Sequence, residues 1–170
     1  VMHAFEKKTG KVLWKHDLGT TEELAPLSIA MATGTPTLGG TLITGGGLVF
    51  VGATMDKYLR AFDAKTGEEL WQGRLLATGF ATPMTYEWQG RQFVVIAAGG
   101  HGQLPTAPGD SLVAFALPKA GEAGPTYWSR TIDRPGGRMW INFGLIFAGT
   151  LVVVAGLWWL IKRLWRRSRG

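Results

Sequence analysis

Two polar side chains stand where short apolar runs could bring chemistry to bear. Asp56 closes the block Gly52-Ala53-Thr54-Met55-Asp56, behind an apolar run and ahead of Tyr58-Leu59-Arg60. A carboxylate at such a strand end can orient a polar ligand edge or a neighbouring cation. Read from its residues alone, a turn aspartate on the surface is the simpler account. His101 lies in Ala98-Gly99-Gly100-His101-Gly102. The glycines let backbone come close to a ligand, and an imidazole can hydrogen-bond ligand oxygens. The simpler account there is a hairpin loop carrying a solvated histidine. A phosphate cradle is excluded, because no Lys-Ser or Lys-Thr pair follows and no helix pattern begins there. His3, His16 and His101 lack metal-ligand spacing. The chain has no cysteine, which removes disulfides, thiolate zinc and a cysteine nucleophile. No catalytic and no metal-ligating residue is assigned.

These residues need elements to hold them. The 170 residues suffice for one ordinary domain, and 25 glycines with 8 tryptophans suit strands and tight turns better than a helical bundle. The net charge of +6 resembles a nucleic-acid signal until it is located. Lys162, Arg163, Arg166, Arg167 and Arg169 all fall at the C-terminus, and without them 13 basic residues face 12 acidic ones. No folded basic surface remains, so nucleic-acid binding is not expected.

The basic cluster follows Trp140 to Ile161, 22 residues without a charge. A helix of that length crosses the hydrocarbon core, which is about 30 Å thick. Trp140 at one end and Trp158, Trp159 and Trp165 at the other are placed as interfacial anchors, and Thr150 can return its hydroxyl to the helix backbone. The positive-inside rule puts residues 162–170 in the cytoplasm as a lipid-anchoring tail and residues 1 to about 138 on the opposite side, the periplasm of a bacterium. No signal peptide is visible, so the expectation is the C-terminal piece of a longer protein. Residues 119–139 read as an irregular Gly- and Pro-containing linker, with Tyr127 and Trp128 at the membrane surface.

Residues 1–118 contain a repeat. Ala4 to Trp14 lines up with Ala61 to Trp71 as A-F-[DE]-x-K-T-G-x-x-L-W, and Leu112 to Leu117 is a partial third copy that keeps A-F and stops at Pro118. Each full copy predicts strand, turn, strand, with the acidic residue capping the turn and Gly10 or Gly67 closing it at positive φ. Further strands are expected at Leu48 to Ala53, Met84 to Trp88 and Phe93 to Ala98, with a hairpin tip at Gln89-Gly90-Arg91. Four short strands per roughly 50 residues is the arithmetic of a propeller blade. The fold expected is all-β, about two blades and a closing strand. It leaves apolar faces and open edges for the remainder of a propeller upstream, since closure takes at least about four blades.

The tandem motifs resemble the tryptophan-docking motifs of quinoprotein dehydrogenases that use pyrroloquinoline quinone. The resemblance extends through Gly34 to Gly40, Gly46 to Phe62, Ala81 to Tyr86, Val94 to Gly102 and Gly109 to Pro118, a succession that looks like the C-terminal end of the membrane-bound glucose dehydrogenase group. It implies the last blades of an eight-bladed propeller in the periplasm, anchored to the bacterial inner membrane by one C-terminal transmembrane α-helix. It implies oxidation of a sugar or polyol at the quinone, assisted by calcium or magnesium, with electrons passed to ubiquinone. Asp56 and His101 are, on this resemblance, the cofactor-binding residues of this stretch, while the catalytic base, metal ligands and ring-stacking tryptophan belong to blades upstream. Trp14 and Trp71 would clamp neighbouring blades. The chain departs from the group in carrying a span after the A-L-P block. The rival expectation is a non-catalytic envelope propeller, an assembly scaffold that needs neither Asp56 nor His101.

Overall fold

The computed structural model describes residues 1–117 and 137–167. Nine strands form three antiparallel sheets: β1 (Met2–Phe5) with β2 (Val12–His16); β3 (Thr41–Ile43), β4 (Leu48–Val51), β5 (Tyr58–Asp63) and β6 (Glu69–Arg74); and β7 (Met84–Trp88), β8 (Arg91–Ala98) and β9 (Ser111–Ala116). Ser111–Ala116, expected as a closing strand, is the third strand of the last sheet. It pairs with β8 from Phe93↔Ala116 to Ala98↔Ser111. The described residues thus hold one four-stranded sheet between a two-stranded and a three-stranded one.

The repeat explains the strand pairs. In the second copy, Asp63 Oδ1 accepts the N–H groups of Lys65 and Thr66, each at 2.8 Å, and Gly67 turns the chain at φ 75°. In the first copy Gly10 has φ 69°, but Glu6 is one methylene longer and takes the Thr9 hydroxyl instead. Both copies carry a bulge at A-F: Ala4 pairs with Trp14 and Phe5 with Val12, as Ala61 pairs with Trp71 and Phe62 with Glu69. The bulge leaves Leu13 and Leu70 outside the pairing and adds local twist. The predicted hairpin tip is tighter than expected. Gln89 and Gly90, at φ 50° and 70°, alone connect Trp88 to its partner Arg91.

Alternation then builds two cores. Val49, Val51 and Phe62 face the first sheet and pack with Leu18 and Ala53, while Leu59 faces the third and packs with Leu75, Ala77, Ile96 and Ala98. β5 is covered on both sides, so its run is almost wholly buried.

The sheets are locked by tryptophan. Trp14 of β2 donates its indole N–H to Ala64 O in the β5–β6 turn at 3.0 Å. Its ring fills the space over Gly67, where a Cβ would stand 2.6 Å from Trp14 Cδ2. Trp71 of β6 meets the third sheet edge-on through Phe115, with ring centroids 5.0 Å apart. Trp14 is half-buried with its polar atom paired, the stronger joint of the two, while Trp71 stays 39% exposed.

The helix α1 runs Gly137–Arg167, longer at both ends than the expected 140–161. Lys and Arg are good helix formers, so the backbone continues into the basic cluster. Its apolar stretch Met139–Lys162 is long enough to cross a bilayer and none of it is buried. Thr150 returns its hydroxyl to Ile146 O at 2.9 Å, as its position suggested. The expected linker up to residue 136, including Tyr127 and Trp128, and tail residues 168–170 lie outside the described residues.

Candidate functional site

Register sets which loops share an end. The Thr44–Gly47 hairpin closes one end of the central sheet, so the segment 17–40, the loop 52–57 and the connection 75–83 all gather at the other. The loop 99–110 joins them, because Gly100 N–H bonds Thr78 O at 2.9 Å. Thr78 and Gly79 sit between the two candidate residues' loops, since Ala53 N–H bonds Gly79 O at 2.7 Å.

Asp56 is 0% exposed, which overturns its reading as a surface-turn residue. Its carboxylate is saturated. Oδ1 accepts from Thr54 Oγ1 at 2.6 Å and Arg60 Nη1 at 3.1 Å; Oδ2 accepts from Thr20 N–H at 2.8 Å and Arg60 Nη2 at 2.5 Å. Burial pushes its pKa up, but the two-point guanidinium bond, the Arg60 charge, the hydroxyl and the backbone N–H outweigh it. The group is therefore held below the ordinary carboxylate value. Arg60 also reaches Glu69 at 3.5 Å. Glu69 moves the other way, because burial raises it by more than Arg60 lowers it.

A second ionic cluster pins the segment 17–40 beside this pair. Glu22, 1% exposed, accepts from the Tyr58 hydroxyl at 3.3 Å, and Arg74 bonds Tyr58 at 2.8 Å and Glu23 at 2.5 Å. Lys57 closes the group on Glu23 at 2.9 Å. Burial raises the Tyr58 phenol far above its usual range, so it stays a proton donor.

His101 is placed differently. It borders an open cleft of about 320 Å³ between Gly99–Gly102 and Leu104, Thr106 and Pro108. Gln103 N–H donates to Nδ1 at 3.2 Å, which leaves Nε2 to carry the proton of the neutral ring. Thr106 Oγ1 accepts the His101 N–H at 3.0 Å, and Phe80 meets the imidazole edge-on at 5.7 Å. The Thr78 hydroxyl below this loop is buried and has no partner among the described residues.

Arg60, Thr20, Thr54 and the Glu22–Tyr58–Arg74 cluster escaped the reading of the sequence. Thr20 is 36 residues from Asp56, and no local spacing joins them. Asp56 and Arg60 at i, i+4 would signal contact on a helix, but here they sit on a loop and the strand after it.

A cleft bordered by a proton-bearing imidazole and glycine backbone offers one N–H donor and room for a ligand to approach the main chain closely. Asp56, expected beside His101 as a cofactor-binding residue, does not line this cleft and has four bonds already made on the neighbouring loop 52–57. No three His, Asp or Glu side chains converge among the described residues, so this part of the chain does not fit a metal.

Stacked antiparallel sheets joined ring-to-turn define a protein of β-propeller type. Residues 1–94 match the family model "PQQ: Glucose/ethanol/alcohol dehydrogenase, beta-propeller domain", and the chain belongs to that family. It is 50% identical over 119 residues to the quinoprotein glucose dehydrogenase of Escherichia coli (strain K12), covering 68% of this chain and 15% of that protein. It is 53% identical over 114 residues to quinoprotein glucose dehydrogenase A of Acinetobacter calcoaceticus, covering 65% and 14%. It is 46% identical over 122 residues to the glycerol dehydrogenase large subunit of Gluconobacter thailandicus, covering 69% and 16%. The matched stretch is the C-terminal part of the glucose dehydrogenases. The chain thus spans about 15% of the length of the relatives it matches.

Proposed function

We propose that this chain supplies one wall of the pyrroloquinoline quinone site in a membrane-anchored dehydrogenase of a sugar or polyol. The observation that carries the reading is the His101 cleft, within a stretch of 119 residues that is 50% identical to a quinoprotein glucose dehydrogenase. The bound quinone supplies the redox chemistry as acceptor of the substrate's two electrons. His101 holds a proton on Nε2 toward an oxygen of the cofactor edge, and Gly99, Gly100 and Gly102 let the backbone approach it. Arg60, Thr54 and Thr20 keep Asp56 ionised and fixed behind the site. The exposed sheet faces pack on the remainder of the propeller, where the catalytic base and the calcium or magnesium ligands belong. The helix α1 spans the inner membrane with its basic end in the cytoplasm and the sheets in the periplasm, close to ubiquinone as electron acceptor.

In the complete dehydrogenase, His101→Ala is expected to raise the quinone's Kd about tenfold, the equivalent of one hydrogen bond. An unchanged Kd, measured by titrating the apoenzyme, overturns the assignment and favours a scaffold. The 170-residue chain alone, given quinone and calcium, is expected to show no turnover.

A further inference from the structure

The segment ahead of β3 carries an apolar tip that neither core absorbs. No charged residue occurs between Glu23 and Asp56. Within that stretch the 3₁₀ turn Pro26–Ser28 leaves Leu24, Leu27 and Met31 47%, 39% and 52% exposed. Leu27 and Ser28 adopt φ 59° and 55°, a conformation that L-residues with side chains avoid. The tip is nonetheless built. Thr21 pinches its neck: its hydroxyl donates to Ile29 O at 2.6 Å and accepts Met31 N–H at 3.0 Å, and its own N–H bonds Met31 O at 3.1 Å. Below the neck Glu22 and Glu23 are engaged by Arg74 and Lys57.

The helix α1 touches this turn. From Met139 to Lys162, only Met139 and Asn142, one turn apart, are partly covered, while Trp140 beside them is 72% exposed. The tip therefore meets α1 at the end where the helix enters the hydrocarbon. We infer that Leu24, Leu27 and Met31 insert into the headgroup–acyl boundary of the bilayer, giving the sheets a second membrane contact beside the helix. Apolar side chains on an uncharged tip suit that boundary, and their continuity with the bilayer-crossing surface of α1 selects lipid as the occupant. The inference rests on the membrane-spanning reading of α1. It also turns the end of the sheets that carries Asp56 and His101 toward the membrane.

The cysteine-free chain makes the test direct. Leu27→Cys and Met31→Cys are labelled with a polarity-sensitive fluorophore and the full chain is reconstituted in phosphatidylethanolamine–phosphatidylglycerol vesicles. Val153→Cys reports the helix, and Ile43→Cys reports the opposite end of the central sheet. Blue-shifted emission at 27 and 31, quenched by brominated lipid and protected from iodide, with iodide quenching at 43, is the expected result. Quenching at 27 and 31 by iodide alone, while 153 responds to brominated lipid, overturns the inference and leaves the span standing. Protection at 27 and 31 from both quenchers also overturns it, because protein then covers the tip. A probe at 153 that escapes lipid overturns the span and the inference together.

Discussion

The loops 52–57 and 99–110 hold the same place in successive sheets, between β4 and β5 and between β8 and β9. The shorter loop is sealed. Gly52 has no room for a Cβ, which would stand 2.4 Å from Gly79 O, and Asp56 spends its carboxylate on Arg60, Thr54 and Thr20. The longer loop is tied at its base, where Gly100 and Gly109 are crowded by backbone, and open at its tip, where Gly102 has nothing nearby. One position of the repeat is thus devoted to rigidity and its neighbour to access. Fixed groups beside an accessible one are what a ligand site requires.

The largest expected effect breaks the sealed loop. Arg60→Ala leaves a buried carboxylate without its counter-charge, held by Thr54 and Thr20 alone, and a loss of about 3–5 kcal/mol is expected from chemical denaturation of the detergent-solubilised chain. An equal loss from His101→Ala would erase the contrast. Next comes Gly52→Ala, expected to cost about 1–3 kcal/mol by overpacking, whereas Gly102→Ala stays within about 0.5 kcal/mol. Equal costs would mean that the tip of the longer loop is as crowded as the shorter loop.

Acid sharpens the same contrast. Asp56 is lowered on folding, so its contribution is fully present above the unfolded value near 3.8 and is lost as pH falls through the lower folded value. The melting temperature of the parent should fall in that window more steeply than that of Asp56→Asn. Parallel curves would show that the pair does not govern acid stability. The smallest effect is on the open loop, where His101→Ala should shift stability by no more than about 0.5 kcal/mol. A larger loss in denaturant titration would give His101 a packing role.

Much of the frame was legible. Gly10, Gly67 and Asp63 act as the repeat predicted, because turn chemistry is local. Trp14 was readable as a clamp through its resemblance, and its partner Ala64 lies two residues past the second A-F. The partners of Asp56 were not readable. Burial and a contact over 36 residues depend on how sheets stack, and a turn aspartate looks the same in sequence whether it faces water or an arginine. For His101, the open cleft follows from the length of its loop, and its assignment to a cofactor rests on resemblance. The helix was legible in its apolar stretch, while its ends were not, since Lys162 and the arginines after it continue the same backbone.

The joint at Trp14 is directional. The first sheet presents the ring and the second the socket, a bare glycine with a carbonyl three residues before it. Tongue-and-groove planks behave alike: each carries a ridge on one edge and a slot on the other. Both copies of the repeat keep the glycine and the tryptophan, so the hand of the stack, though not the order of its modules, is written in a missing methyl group.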